Sequence, residues 1–161
     1  MAGAVTLVDN AAWADARPRL SVLIPYFRDD PTTLLPALDG DGGAVEIVVL
    51  DDGCGDDALA ARVAETVRAM RRPARFVRLA ANEGRSKGRN RLAANARAGH
   101  LLFLDSDMLP DSPAFLQTWL DLIDAENPAV AFGGFSLDQA PLKAEHALHR
   151  AMALKSDCLP A

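Results

Sequence analysis

The chain has 161 residues and a mass of 17.2 kDa, the size of one ordinary domain. Half of it is hydrophobic and 24% is charged, which excludes a disordered chain, and no stretch nears the roughly 18 unbroken apolar residues of a membrane span. Seventeen basic against twenty-two acidic residues leave a net charge of −5, which excludes a general polyanion binder such as a nucleic-acid protein.

Met1 to Arg19 lacks the basic start and apolar block of a secretory signal, so it reads as an unpatterned leader containing Trp13. Leu20-Ser-Val-Leu-Ile-Pro25 is a short apolar run closed by proline, which predicts a buried strand. Asp30-Pro31 supplies an N-cap and a first-turn proline for a helix that Pro36 shortens or bends. Val45 to Leu50, rich in β-branched residues, predicts a second strand ending at Asp51-Asp52-Gly53. From Asp56 to Arg71, Leu59, Val63, Val67 and Met70 recur at helical spacing. Arg75 to Leu79 is a third strand. Ser86 to Ala98 is a basic helix, with Gly99 expected as its left-handed C′ residue.

His100 to Leu104 predicts a fourth strand, ending at Asp105-Ser106-Asp107. Ser112-Pro113 caps a helix whose apolar face carries Phe115, Leu116, Trp119, Leu122 and Ile123. Ala129 to Phe132 reads as a weaker fifth strand, and Pro141 to Lys155 has helical composition. Strand and helix alternate at a spacing that implies right-handed crossovers. The expected fold is α/β: a three-layer, Rossmann-like, mostly parallel sheet with helices on both faces. Its main domain spans 20–136, preceded by the leader at 1–19 and followed by the start of a further region at 137–161.

Ligands of such sheets sit outside the carboxyl ends of the strands, where this sequence places its polar clusters. Asp105 and Asp107 are two apart, so in an extended segment both carboxylates point to one side. Two such charges ~4 Å apart repel by about 4 kcal/mol at an effective dielectric near 20, which a hard divalent ion such as Mg²⁺ or Mn²⁺ relieves. The same aspartates could simply cap the helix at Ser112. Asp51-Asp52-Gly53 could offer a carboxylate to the N–H edge of a nucleobase, or form an ordinary turn with Gly53 at positive φ.

Asn82 to Arg91 joins a strand to a helix, and its Lys87 and Arg89 could meet a phosphate, though the segment equally suits an exposed helix start. Neither GxxxxGK[ST] nor a GxGxxG after the first strand is present. Ten of the seventeen basic residues lie between Arg68 and Arg97, with Glu83 the sole acid inside those limits. That excess fits either a small-anion site or a solvated helix face. His146 and His149, three apart without a third ligand, read as surface histidines. Cys54 and Cys158 are far apart with no CxxC, which indicates neither a disulfide framework nor zinc and suits a reduced cytoplasm.

Taken in order, these segments resemble family 2 glycosyltransferases of the GT-A fold. The resemblance rests on Ser21 to Tyr26, Glu46 to Gly53, Asn82-Glu-Gly84 through Arg89-Asn90, Ala98-Gly99, and Leu102 to Asp107 with Pro110-Asp111 behind. It implies that the backbone at Pro25 and Tyr26 lines a nucleotide pocket. Asp52 would accept from the base with Asp51 in support, and Arg89 and Lys87 would face the diphosphate. Asp105 and Ser106 would lie by the nucleotide, with Asp107 as the direct ligand of Mn²⁺ or Mg²⁺ and Asp105 beside it. The implied donor is a nucleotide sugar, a UDP-sugar first of all, and the acceptor a glycan, lipid or protein.

Fifty-four residues follow Asp107. Asp138, Glu145 and Asp157 stand in no Glu-Asp motif, and the Gln-x-x-Arg-Trp signature of processive members is missing. The acceptor base is therefore expected beyond Ala161, in a longer protein that is cytoplasmic or peripheral at the inner face of a membrane. Two other readings remain. A haloacid-dehalogenase-like phosphatase would use Asp105 as nucleophile and Asp107 as acid/base. A non-catalytic nucleotide-binding module would need no base at all.

Overall fold

A computed structural model describes residues 5–134, 136–137 and 143–156. The chain divides into a first unit ending at Met108 and a second beginning at Leu109. The first holds a five-stranded sheet: β1 (Val5–Asp9), β2 (Leu20–Tyr26), β3 (Val45–Asp51), β4 (Ala74–Leu79) and β5 (His100–Phe103). Their order is β1-β4-β3-β2-β5, with β2 to β5 mutually parallel and β1 antiparallel to β4. The expected α/β, mostly parallel fold is present.

Every residue of β3 is buried, as befits a central strand covered on both faces. Helices α1 (Leu34–Ala37), α2 (Asp57–Ala69) and α3 (Arg85–Asn95) join the strands, α2 packing on β4 and β1, and α3 on β2 and β3. Right-handed crossovers place α1 and α2 on one face and α3 on the other, because the chain reverses direction across the sheet after β4. The α3 face has a core of Leu23, Val48, Leu50, Val77, Leu79 and Leu92, with Ala93 and Ala96 against it. The sequence spacing carried α2 faithfully: Asp56 caps it by accepting from the Leu59 amide at 2.9 Å.

Within the stretch expected as a leader, the described residues 5–19 belong to the fold, since Val5–Asp9 forms the fifth strand of the sheet. Trp13 joins the core at 5% exposure, flanked by the guanidinium groups of Arg97 and Arg75 at 3.8 and 4.4 Å from its ring centre. β1 is an edge strand whose apolar Val5 and Leu7 stay exposed, so its period-two signal has no buried face behind it.

Helix α3 ends at Asn95, earlier than expected, and Gly99 is not left-handed. The chain leaves the helix because a buried pair competes for its amides: Arg97 N donates to Glu46 and Ala98 N to Ser21 Oγ. The first helix is regular only from Leu34, but the expected cap is in place: the Asp30 carboxylate accepts from the Thr32 amide at 2.9 Å, and Leu35 N donates to Pro31 O at 3.0 Å.

In the second unit α4 (Phe115–Glu126) buries Leu116 and Leu120 and closes on Asn127 in a left-handed conformation. The fifth strand expected at 129–132 does not form; Val130 and Phe132 are 91% and 68% exposed, without the burial that would hold a strand. A short 3₁₀ turn (Ala144–His146) leads into α5 (Ala147–Ser156). Pro141, Asp138, Asp157 and Cys158 lie outside the described residues.

Candidate functional site

Three groups flagged in the sequence meet at the carboxyl edge of the sheet. β3 and β5 flank β2 in parallel, so the segments after Asp51 and after Phe103 are one strand apart, roughly 10 Å at ordinary strand spacing. Strand β5 stops pairing at Leu23↔Phe103, and Leu104 N donates to Leu23 O. Asp105–Asp107 therefore leaves the sheet beside the last residues of β2.

This acidic tip is a turn rather than the extended segment the spacing suggested: Met108 N donates to Asp105 O at 3.1 Å. Ser106 is buried at 9% exposure, whereas Asp105 and Asp107 face solvent. Arg89 of α3 donates to Asp105 Oδ1 at 2.9 Å and so ties the basic helix to the acidic tip. Asp107 has no hydrogen bond or ion pair among the described residues.

The two aspartates after β3 have separate duties. Asp51, fully buried, accepts from the Cys54 amide at 2.8 Å and pairs with Arg78 Nε at 3.3 Å, which fixes the turn into α2. Asp52, 6% exposed, reaches the loop before α3. Its Oδ1 accepts from Glu83 N at 2.8 Å, and its Oδ2 from Gly84 N at 3.0 Å and Asn82 Nδ2 at 3.1 Å. A carboxylate has about four acceptor positions, so one stays open on Oδ1.

One of two nearby glycines is required for this approach. Gly53 has φ +69°, and a Cβ there would lie 2.2 Å from the Ala81 carbonyl carbon. Gly88, inside α3, faces Asp52 and Leu50, and a Cβ there would meet them at ordinary van der Waals distance, 3.7 Å. Gly88→Ala is accordingly expected to stabilise the chain by about 0.5–1 kcal/mol through helix propensity, read from urea unfolding.

Pro25 is half-buried at the end of β2, and Tyr26 is buried, stacked on Phe76 with ring centres 6.5 Å apart. The Tyr26 hydroxyl has no hydrogen-bond partner among the described residues, and burial together with the Asp51 charge pushes its pKa up, so it stays protonated. Burial likewise pushes the Cys54 thiol up, which disfavours its thiolate form.

Half of the basic stretch is paired with acids from elsewhere in the chain. Arg71 pairs with Asp39 and Asp41, Arg75 with Asp9, Arg78 with Asp51 and Asp57, Arg89 with Asp105, and Arg97 with Glu46. Arg91 pairs with the one local acid, Glu83. Among the described residues, Arg68, Arg72, Arg85 and Lys87 are left without an ion pair; Arg72 Nε instead donates to the Leu38 carbonyl at 3.0 Å, and Arg85 and Lys87 open α3 beside Gly84. The cationic character is concentrated there, next to the acidic tip.

Sequence reasoning missed Arg28. It stands two residues after β2 at φ +70°, a left-handed backbone that a non-glycine residue adopts at an energetic cost. A positive φ on arginine leaves no mark in composition or spacing. His146 is exposed beside Glu145 at 3.7 Å, as expected of a surface histidine.

The donor set suits a hard divalent cation brought in with phosphate oxygens. Among the described residues no three His, Cys, Asp or Glu side chains cluster, so the protein offers an exposed pair of carboxylate residues rather than a closed cage. Mg²⁺-type ions are commonly held by one or two carboxylates plus substrate phosphates.

A mostly parallel sheet with acidic and cationic groups at its carboxyl edge is an α/β domain of the kind whose ligands sit outside the strand ends. The family model "Glycosyl transferase family 2" matches residues 21–154, and the chain belongs to that family. Curated proteins yield no match. Among solved structures, the mannosyltransferase PcManGT from Pyrobaculum calidifontis, in complex with GDP-Man and Mn²⁺, is similar at 21% identity and a TM-score of 0.54. The alignment covers 79% of this chain and 37% of that one, so the chain spans well under half its relative's length. The likeness is one of fold. No helix among the described residues is long and apolar enough to cross a membrane.

Proposed function

We propose that this chain is the donor-binding part of an inverting glycosyltransferase, one that moves a sugar from a nucleoside-diphosphate sugar to an acceptor hydroxyl. The observation that carries this reading is the Arg89–Asp105 contact at 2.9 Å, which brings the cationic start of α3 and the acidic tip of β5 together one strand from Asp52. The backbone of Pro25 and Tyr26 lines the base pocket, with Asp51 holding the turn and the open acceptor position of Asp52 facing a base N–H. Lys87 and Arg89 face the diphosphate, and Asp105 and Ser106 border the nucleotide. Asp107, with Asp105 beside it, would hold Mn²⁺ or Mg²⁺, which when bound neutralises charge on the leaving diphosphate.

None of the chain's carboxylates is assigned as the acceptor base. Glu145, the one of the three candidates within the described residues, is exposed beside His146. The chain alone is expected to bind donor and not to transfer sugar, and turnover onto any acceptor would overturn that half of the reading. The family assignment displaces the phosphatase alternative, and hydrolysis of a phosphomonoester with Mg²⁺ would restore it.

A thermal-shift panel of UDP, GDP, ADP and their sugar conjugates, with and without Mn²⁺, tests the binding half and identifies the base. The expected result is metal-dependent stabilisation by one nucleoside diphosphate, UDP being the first expectation and GDP the base carried by the PcManGT complex. Asp107→Ala is expected to abolish the metal-dependent part while leaving the unliganded midpoint unchanged, since that side chain is exposed and unbonded. A shift that survives in Asp107→Ala takes this residue out of the metal site.

A further inference from the structure

We infer that Asp52 acts on the diphosphate as well as the base, as a positioning residue that fixes the loop from which the cations of α3 are presented. This rests on the donor-site reading above and extends it to a carboxylate whose hydrogen bonds go to Asn82, Glu83 and Gly84 rather than to Lys87 or Arg89. The carboxylate sits at the end of β3, buried to 6% exposure, and accepts from the Glu83 and Gly84 amides and from the Asn82 side chain. Asn82 Nδ2 donates to the Asp52 carbonyl too, at 3.1 Å, so the loop is held by both the main chain and the side chain of one residue.

Those donors are the residues that immediately precede α3. Gly84 is its N-cap at φ +87° and has no side chain to cap the helix, so the approach of α3 is set from outside. Asp52 does so directly. Gly53 lets Ala81 and Asn82 close on the turn, and Gly88, one turn into α3, faces the Asp52 carboxylate so closely that a Cβ there would lie 3.7 Å from its Cγ, in van der Waals contact. Lys87 and Arg89 flank that glycine. The carboxylate, the loop and the first turn of α3 therefore form one rigid connection, and a shift in the loop displaces both cations.

The consequence separates positioning from simple base contact. A carboxylate that only touched the base would matter to nucleotides and be silent toward inorganic pyrophosphate. A carboxylate that sets α3 matters to both. The test is calorimetric titration of the chain with Mn²⁺-UDP, Mn²⁺-GDP and Mn²⁺-pyrophosphate, for the wild type, Asp52→Asn and Asn82→Ala. Affinity for pyrophosphate is expected to fall about tenfold or more in Asp52→Asn, the usual scale for losing an orienting group behind a ligand. Asn82→Ala, which removes one donor from an exposed residue, is expected to give a smaller loss of the same kind.

Hydrogen exchange on the unliganded protein supplies an independent reading: the Glu83 and Gly84 amides, protected in the wild type, are expected to exchange in Asp52→Asn while β3 and β4 stay protected. Unchanged pyrophosphate affinity beside weakened nucleotide binding would overturn the proposal and leave the donor site standing. So would amides at 83 and 84 that remain protected, or pyrophosphate that the wild type fails to bind while binding nucleotide. A wild-type chain that binds none of the three ligands overturns the donor-site reading itself.

Discussion

Arg97→Ala is expected to destabilise the first unit by about 3 kcal/mol, the lower end of the range for breaking a buried ion pair, because the Arg97 side chain is itself 30% exposed. The reason lies at the amino end of the sheet, away from the site. Glu46 is fully buried in the central strand and accepts from Ser21 Oγ at 2.6 Å, Arg97 N at 2.7 Å and Arg97 Nε at 2.7 Å. Truncation leaves the carboxylate without its counter-charge.

The same guanidinium donates to the Trp13 carbonyl at 2.7 Å and covers the indole ring, so the segment joining β1 to β2 loosens as well. Denaturant unfolding measures the loss. A double change, Glu46→Leu with Arg97→Met, is expected to recover most of it, since an apolar pair of similar volume needs no compensation. A loss below about 1 kcal/mol in Arg97→Ala would mean that water screens the pair as it does at a surface.

Gly53→Ala is expected to cost about 3 kcal/mol or more and to weaken ligand binding along with stability. Two penalties combine. The residue stands at φ +69°, and its Cβ would meet backbone atoms, the Ala81 carbonyl carbon at 2.2 Å and the Asn82 nitrogen at 2.5 Å. A side-chain tip could swing away; a peptide held by Asp52 cannot. Gly55 is the natural control. It has φ +75° but nothing within 4 Å of a Cβ, so Gly55→Ala carries the conformational cost alone, about 1 kcal/mol. Equal losses at the two positions would show that the close approach of the 81–82 loop contributes nothing.

The parallel strands and their helices were legible because burial on both faces writes near-continuous apolar runs, as in Val45 to Leu50. The edge elements were not. β1 pairs on one side only and exposes Val5 and Leu7, so nothing in its composition separates it from a loop. At 129–132 the converse holds: β-compatible residues have no partner strand among the described residues, and propensity without pairing makes no strand.

Within the site, the positions of Asp51, Asp52, Arg89 and Asp105–Asp107 at strand ends followed from the order of elements. Their bonding did not, because it depends on tertiary partners 16 to 32 residues distant, as for Arg89 with Asp105 and Gly84 with Asp52. The basic stretch carries the same lesson. Counted locally it is a strong cationic patch, yet in space Asp9, Asp39, Glu46, Asp51 and Asp105 have already met half of it.

The account turns on whether the acidic turn after β5 and the first turn of α3 hold one metal-bridged diphosphate between them. Titrating the preferred nucleoside diphosphate into the chain by calorimetry, once with Mn²⁺ and once with excess chelator, asks this directly. The expected result is one-to-one binding that needs the cation and is lost in Asp107→Ala. Binding of equal strength with the chelator present, or in the Asp107→Ala chain, would contradict it.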